Sequence, residues 1–457
     1  MLGAAHAAHP NLVDVASVTG GGSAQAAPAQ RDEHGRSRHH READHESQKN
    51  GHDQTIRRFR RLDQTTELGQ RQARARLANV AGSICDVLPA AAALLDVRGA
   101  ADQLGLAEAV GAGRIDRVAV VLVDGMGWHL LPELAGGAPL LGSVLAGSTG
   151  RLRELACTFP STTPSSLVSL GTGAQPGEHG ILGFTLNVPG TDHVVNHIRW
   201  RGDPPPHQWQ PLPTWFERLR RAGVGARAVL PAPFLGSGLT DAAYRGAQFC
   251  PTQPDDDYAQ LLTDELAAAP GLVFGYTADL DTAAHVFGIG SPEWHEAGVR
   301  VDALLTRLVE ALPPNAALLV TADHGGLNVP PDARVDLDTD PGLGAGVRVV
   351  AGEPRVRYLH TEPGAAADVH AAWGELLDGR AVIYSREEAV ATGMFGPVKP
   401  QHLPRIGDVV AVCTGESVVL ATEHEPAETA RLVGFHGAAT AAEMAIPIIA
   451  FTARPGG

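Results

Sequence analysis

The chain has 457 residues, of which 44% are hydrophobic, and a formal net charge of −15; it is long enough to bury a large core and far too cysteine-poor for a small disulfide-stapled scaffold. Of its 36 Lys/Arg and 51 Asp/Glu, 12 and 9 fall in residues 1–80, leaving 24 and 42 for the rest. A body that acidic argues against a nucleic-acid surface and implies that a small anionic substrate would need local metal charge.

The beginning of the sequence lacks a basic start followed by an apolar run, and nowhere do about 18 apolar residues follow one another, so neither export nor a membrane span is expected. Cys85, Cys157, Cys250 and Cys413 are far apart and include no Cys-x-x-Cys pair, which fits a reducing, cytoplasmic compartment. Residues 1–80 are predicted to be a disordered N-terminal segment: Arg31 to Gln72 is rich in His, Arg, Gln, Glu and Asp and has too few apolar residues to offset its ordering entropy. From Ser83 onward the pattern becomes alternating α/β. Val118 to Val123 is a continuous apolar run, the form of a strand buried on both faces, and it ends in Asp124-Gly125-Met126-Gly127. The runs Leu272 to Phe274, Ala317 to Val320 and Val409 to Val412 repeat that theme with helical segments between them. One helix has a readable start, with Ser291 as N-cap and Pro292 at the first helical position, and Val301, Leu304, Leu305, Leu308 and Leu312 mark its buried face. The expected fold is α/β, a mostly parallel sheet with helices on both faces. Residues 327–404, with short strand-like runs and a helix-like Ala365 to Leu377, are expected to form a smaller inserted cap; a continuous extension of one domain is the alternative.

Seven side chains along this pattern suit a two-metal phosphoryl-transfer site: Asp124, Thr163, Asp281, His285, Asp323, His324 and His436. Asp281 and His285 are spaced i and i+4, so a helix presents both on one face and they can share an ion. Asp323-His324-Gly325-Gly326 directly follows a predicted strand, and with Asp124 it can hold a second ion; His436 lies in Gly434-Phe435-His436-Gly437. Mixed Asp and His ligands suit zinc best, with manganese or iron as alternatives. Thr163, in Phe159-Pro160-Ser161-Thr162-Thr163-Pro164-Ser165-Ser166, fits either a Ser/Thr-rich cap or a nucleophile at a helix N-terminus, where free N–H groups favour an anion. Singly, each has an ordinary structural explanation as a cap, a turn or a hydrogen-bonded side chain. Their joint occurrence at strand ends, where open α/β sheets bind ligands, carries the functional interpretation.

The block Phe159-Pro160-Ser161-Thr162-Thr163, followed by Gly171-Thr172-Gly173, Pro176 and His179-Gly180, resembles the nucleophile region of the type I phosphodiesterase/nucleotide pyrophosphatase family of the alkaline phosphatase superfamily. The resemblance extends in order to Val123-Asp124-Gly125, Asp281-x-x-x-His285, Asp323-His324-Gly325 and His436-Gly437, within a catalytic domain expected over residues 84–455. It implies an alkaline phosphatase-like fold and two divalent ions, zinc above all. Asp281, His285 and His436 would bind one, and Asp124, Asp323 and His324 the other, with the Thr163 hydroxyl at the second. A phosphothreonine intermediate at Thr163 is implied as well. Two positions depart from the family. Ser166 stands where nucleotide-type members have an Asn that holds a phosphoryl oxygen, which makes it the substrate-binding candidate, and Thr162 stands where they often have a Lys. The expected function is a phosphodiesterase or nucleotide pyrophosphatase acting on a small phosphorylated substrate, a nucleotide or another phosphodiester. A phosphomonoesterase or phosphonate hydrolase of the same superfamily is the alternative. A non-catalytic metal-dependent binding protein would be marked by loss of a ligand or of Thr163, and none is lost. A sulfatase is set aside because the Cys-x-Pro-x-Arg setting of its nucleophile is absent.

Overall fold

A computed structural model describes residues 82–111 and 113–453; the expected disordered segment over residues 1–80 lies outside the described residues. The main sheet has seven strands, in the order Arg151–Ala156, Ala445–Thr452, Ala316–Thr321, Arg117–Val123, Gly271–Thr277, Ala226–Pro231 and Gln248–Thr252. Its core is parallel: Arg117–Val123 pairs in parallel with Ala316–Thr321 and Gly271–Thr277, and Ala226–Pro231 with Gly271–Thr277 and Gln248–Thr252. Ala445–Thr452 runs antiparallel to both of its neighbours. Every residue of Ala316–Thr321 is buried, and because successive side chains of a strand face opposite ways, both faces of the sheet are covered. Helix Tyr258–Ala268 packs on the three strands Arg117–Val123, Ala226–Pro231 and Gly271–Thr277. This is the α/β arrangement with a mostly parallel central sheet that the apolar runs imply.

Helix Pro292–Glu310 begins as expected: Ser291 Oγ accepts from Trp294 N at 3.1 Å, and Val301, Leu305 and Leu308 are buried. Asp302 shares that buried face and accepts from Leu140 N at 3.2 Å and Leu141 N at 2.9 Å, so it caps the neighbouring helix Pro139–Leu145. Among the described residues no helix is long and apolar enough to cross a membrane.

A second sheet is antiparallel, in the order Ala381–Ser385, Val409–Cys413, Val356–Thr361, Val347–Glu353, Thr185–Asn187 and Val194–Asn196. Residues 327–404 contribute three of these strands and helix Ala366–Leu376, and Trp373 of that helix packs with Leu359, Val409 and Ala411 in a core of its own. The run Val409–Val412 therefore does not extend the parallel sheet, as its composition suggested; it pairs antiparallel with Val356–Leu359 and with Val382–Ser385. A central strand buried on both faces reads as the same apolar run in either sheet type, so its sequence cannot tell them apart.

The register of the main sheet aligns the ends that matter. Val123 lies opposite Thr277, and Leu122 opposite Thr321, so the three central strands release the chain side by side at one edge.

Candidate active site

Asp124 follows its strand directly, and its N–H still donates to Thr277 O at 2.9 Å, which keeps the carboxylate at the sheet edge. The chain then turns at Gly125, whose φ of 72° suits glycine. Gly125 N donates to Asp323 Oδ1 at 3.1 Å and so ties the first loop to the third. A Cβ on Gly127 would lie 2.6 Å from the Cα of Gly325, so the two loops touch backbone to backbone. Asp281 and His285 sit in helix Asp279–Phe287 and meet with His285 Nε2 3.1 Å from Asp281 Oδ2. Thr163 opens helix Thr163–Thr172, after an extended Thr162.

The three histidines share one feature. His285 Nδ1 is 2.8 Å from Gly434 O, His324 Nδ1 is 2.9 Å from Gly325 O, and His436 Nδ1 is 2.8 Å from Ser161 O. A carbonyl oxygen only accepts, so each ring donates Nδ1–H and, when neutral, presents Nε2 as a lone pair. Those nitrogens face carboxylates, one another and, at His324, the Thr163 hydroxyl, which can donate to it. His324 Nε2 lies 3.2 Å from Thr163 Oγ1, 3.4 Å from Asp124 Oδ1 and 3.5 Å from Asp323 Oδ2. His285 Nε2 lies 3.2 Å from His436 Nε2, and the His436 ring stacks on that of His324 with centroids 3.5 Å apart.

Asp124 Oδ1 and Asp323 Oδ2 are buried and have no hydrogen-bond partner. The remaining Asp124 oxygen, Oδ2, accepts from Tyr276 OH. Burial first, and then the charges of Asp323 and Asp281, push the Asp124 carboxyl well above the usual carboxylate range. Burial and the neighbouring His324 push His436 well below the ordinary imidazole value. Burial alone would raise Asp281, but its pairing with His285 outweighs that and holds it low; the same pairing outweighs burial at His285 and raises it. Two carboxylate oxygens thus converge on the His324 ring without donors of their own, and a cation is what such a ligand set fits. Ligand atoms of Asp124, Asp323 and His324 lie within 4.8 Å of one another, as do those of Asp281, His324 and His436.

All seven side chains expected at the site are thereby brought together, whereas Ser166 is not. It is fully buried, and its hydroxyl donates to Asp323 O at 2.8 Å. Neighbouring residues support the cluster without any spacing that marks them in the sequence. Ser161 joins the Thr163 loop to the His436 loop, donating to Ala438 O at 2.7 Å and accepting from Gly437 N at 3.1 Å. Glu443 accepts from Ala438 N at 2.9 Å and is held by Arg355 Nε and Nη2 at 2.9 and 2.7 Å, while its carbonyl accepts from Gly325 N at 2.8 Å. A cleft of about 300 Å³ opens over Thr163, Asp124, Asp281, His285 and His436. Its walls are mainly apolar, with Phe184, Phe234, Leu239 and Phe435 among them, and Glu353, Arg199, His424 and Glu425 are among the polar exceptions.

The sequence profile of the type I phosphodiesterase/nucleotide pyrophosphatase family matches residues 118–439. No curated protein matches the chain. Among solved structures, murine ectonucleotide pyrophosphatase/phosphodiesterase 5 superposes with a TM-score of 0.60 at 20% identity, over 74% of this chain and 88% of that one. An inactive variant of the same murine protein, in complex with AMP, gives 0.60 at 19% identity over the same shares. Phosphonoacetate hydrolase from Sinorhizobium meliloti 1021, in complex with phosphonoacetate, gives 0.55 at 21% identity, over 75% of this chain and 91% of the other.

Proposed function

The chain belongs to the type I phosphodiesterase/nucleotide pyrophosphatase family, and from that premise we propose that this phosphoric ester hydrolase cleaves small phosphodiesters through a phosphothreonine intermediate at Thr163, at a site for two divalent ions. The observation that supports this best is the pair of buried carboxylate oxygens without donors, Asp124 Oδ1 and Asp323 Oδ2, on either side of a His324 Nε2 that is hydrogen-bonded to Thr163 Oγ1. Asp124, Asp323 and His324 would hold one ion, and Asp281, His285 and His436 the other. Mixed carboxylate and imidazole ligands favour zinc, with manganese or iron as alternatives. Bound there, the ions supply positive charge that favours the threonine alkoxide and offsets charge on the phosphoryl oxygens.

The residues do the remainder. Thr163 Oγ1 loses its proton to solvent and forms a bond to phosphorus as the ester bond to the leaving group breaks, and the departing oxygen takes up a proton from solvent. Hydrolysis of the resulting phosphothreonine restores the hydroxyl and releases the phosphorylated product. The start of helix Thr163–Thr172 adds unbonded backbone N–H groups and the positive end of its dipole where the phosphoryl charge lies. Carbonyls of Gly434, Gly325 and Ser161 fix the ring orientations of the three histidines. Ser166, with its hydroxyl engaged by the Asp323 carbonyl, steadies the Asp323 loop.

The test is a hydrolysis panel on zinc-loaded protein comparing an aryl phosphodiester, a phosphomonoester, a nucleotide pyrophosphate and a phosphonate. The highest kcat/KM is expected on a diester or pyrophosphate. Because Ser166 stands in place of the Asn typical of nucleotide-type members, an enzyme fastest on the phosphonate or the monoester is the specific alternative. Such an outcome would replace the diester assignment while leaving Thr163 chemistry in place.

A further inference from the structure

Glu353 ends the strand Val347–Glu353 and lines the cleft together with Thr163 and His436. Its carboxyl packs against Gly437, the residue after His436: a Cβ on that glycine would lie 2.9 Å from Glu353 Cδ. The Thr162 hydroxyl and the Phe184 N–H are also close enough to favour its ionised form. The residue is only 3% exposed, yet Glu353 Oε1 has no hydrogen-bond partner, and neither does the fully buried Thr162 Oγ1. The two arginines nearest to it in sequence are engaged elsewhere. Arg355 grips both carboxylate oxygens of Glu443, and Arg357 grips both of Glu425 at 2.6 and 2.9 Å. Burial dominates, and the Glu353 carboxyl is pushed up to about 8.

An acid that serves only the fold is paired, as Glu443 and Glu425 are, because an unmatched buried polar group is costly. Glu353, whose Oε1 makes no hydrogen bond, stands in the wall of the cleft between the neighbour of the proposed nucleophile and the neighbour of a proposed ligand. We propose that Glu353 is a specificity-determining residue that accepts a hydrogen bond from an N–H or O–H group on the substituent attached to phosphorus, so that the enzyme selects phosphoesters bearing an ammonium or hydroxyl close to phosphorus over purely hydrocarbon ones. A carboxylate accepts through either oxygen and a neutral carboxyl through its carbonyl oxygen, so the role holds in both protonation states. Rotation about the terminal side-chain torsion is broad and exchanges the two oxygens, so either can face the cleft. The inference rests on the phosphodiesterase reading of the same site.

The experiment compares kcat/KM of the zinc-loaded protein on aminoethyl p-nitrophenyl phosphate and on its near-isostere propyl p-nitrophenyl phosphate, which share a leaving group. Wild type should prefer the aminoethyl ester by about tenfold or more, the size of one hydrogen bond involving a charged group. Glu353→Ala should bring the ratio near one. Glu353→Gln, which keeps a carbonyl acceptor of the same shape, should retain a preference for the hydroxyethyl ester over the propyl ester. The same discrimination should appear without turnover, as a larger rise in melting temperature with aminoethylphosphonate than with propylphosphonate. Equal efficiency of wild type on the aminoethyl and propyl esters overturns the inference alone. So does an equal loss on both esters in both variants, which marks a structural role. Hydrolysis of neither ester by wild type overturns the phosphodiesterase reading and the inference with it.

Discussion

At Asp124 the two carboxylate oxygens have opposite fates: Oδ2 is held by the Tyr276 hydroxyl, and Oδ1 faces His324 Nε2 with no donor. Tyr276 therefore orients a proposed ligand without being one. Tyr276→Phe should weaken zinc retention about tenfold, the usual effect of losing a partner behind a ligand, measured by competition with a chromogenic chelator. Glu353 makes a pH prediction for metal-free protein. Its carboxyl titrates near 8 when folded and near 4.5 when unfolded, so between those values the folded state binds the extra proton. Its contribution to stability is fully present below about pH 4.5 and is lost as pH rises through about 8. Over that window the melting temperature of Glu353→Gln should fall less with pH than that of wild type. The positions of Asp124, Thr163, Asp281, His285, Asp323, His324 and His436 were legible because each lies in a short local pattern at a strand or helix end. Tyr276, Ser161 and Glu443 were not, because what distinguishes them is a partner far away in sequence, such as Arg355 for Glu443, and Glu353 was not, because what distinguishes it is a buried oxygen without a partner.

The loops act as units because glycines let them touch. A Cβ on Gly325 would lie 2.1 Å from Ala442 O, which the backbone cannot admit without moving the Asp323–His324 loop. Gly325→Ala should thus lower both zinc content and turnover, read by elemental analysis beside the rate on an aryl phosphodiester. Helix Pro292–Glu310 offers the contrast. Ser291→Ala should cost about 1 kcal/mol in urea unfolding, the typical worth of an N-cap, and leave kcat/KM unchanged because the cap lies outside the cluster. Both helix start and buried face could be read from sequence there, since capping and periodicity are local. The assignment of Val409–Val412 to a sheet could not, because strand partners are set by the packing of residues far apart in the chain. The same limit hid Thr185–Asn187 and Val194–Asn196, two three-residue strands too short to show a period.

Across the whole molecule, the parallel sheet gathers the ends of three strands at one edge, and the second sheet adds Glu353 to the same cleft. Arg355, between two strands of the second sheet, grips Glu443, which in turn braces the loops of His324 and His436, so the second sheet is tied to the cluster through Glu443. Carboxylates of Asp124, Asp281 and Asp323 crowd one another in an acidic chain, and a ligand that binds only the folded state stabilises it. Chelation should accordingly lower the melting temperature, and adding zinc back should restore it. The most direct test of the proposed chemistry is Thr163→Ala, assayed for zinc per chain by elemental analysis and for turnover of an aryl phosphodiester in the same preparation. The predicted result is zinc content near that of wild type, about two ions per chain, with turnover lower by at least ~10³-fold, as loss of a nucleophile produces. A Thr163→Ala protein that keeps its zinc and hydrolyses the diester at a near-normal rate would contradict it.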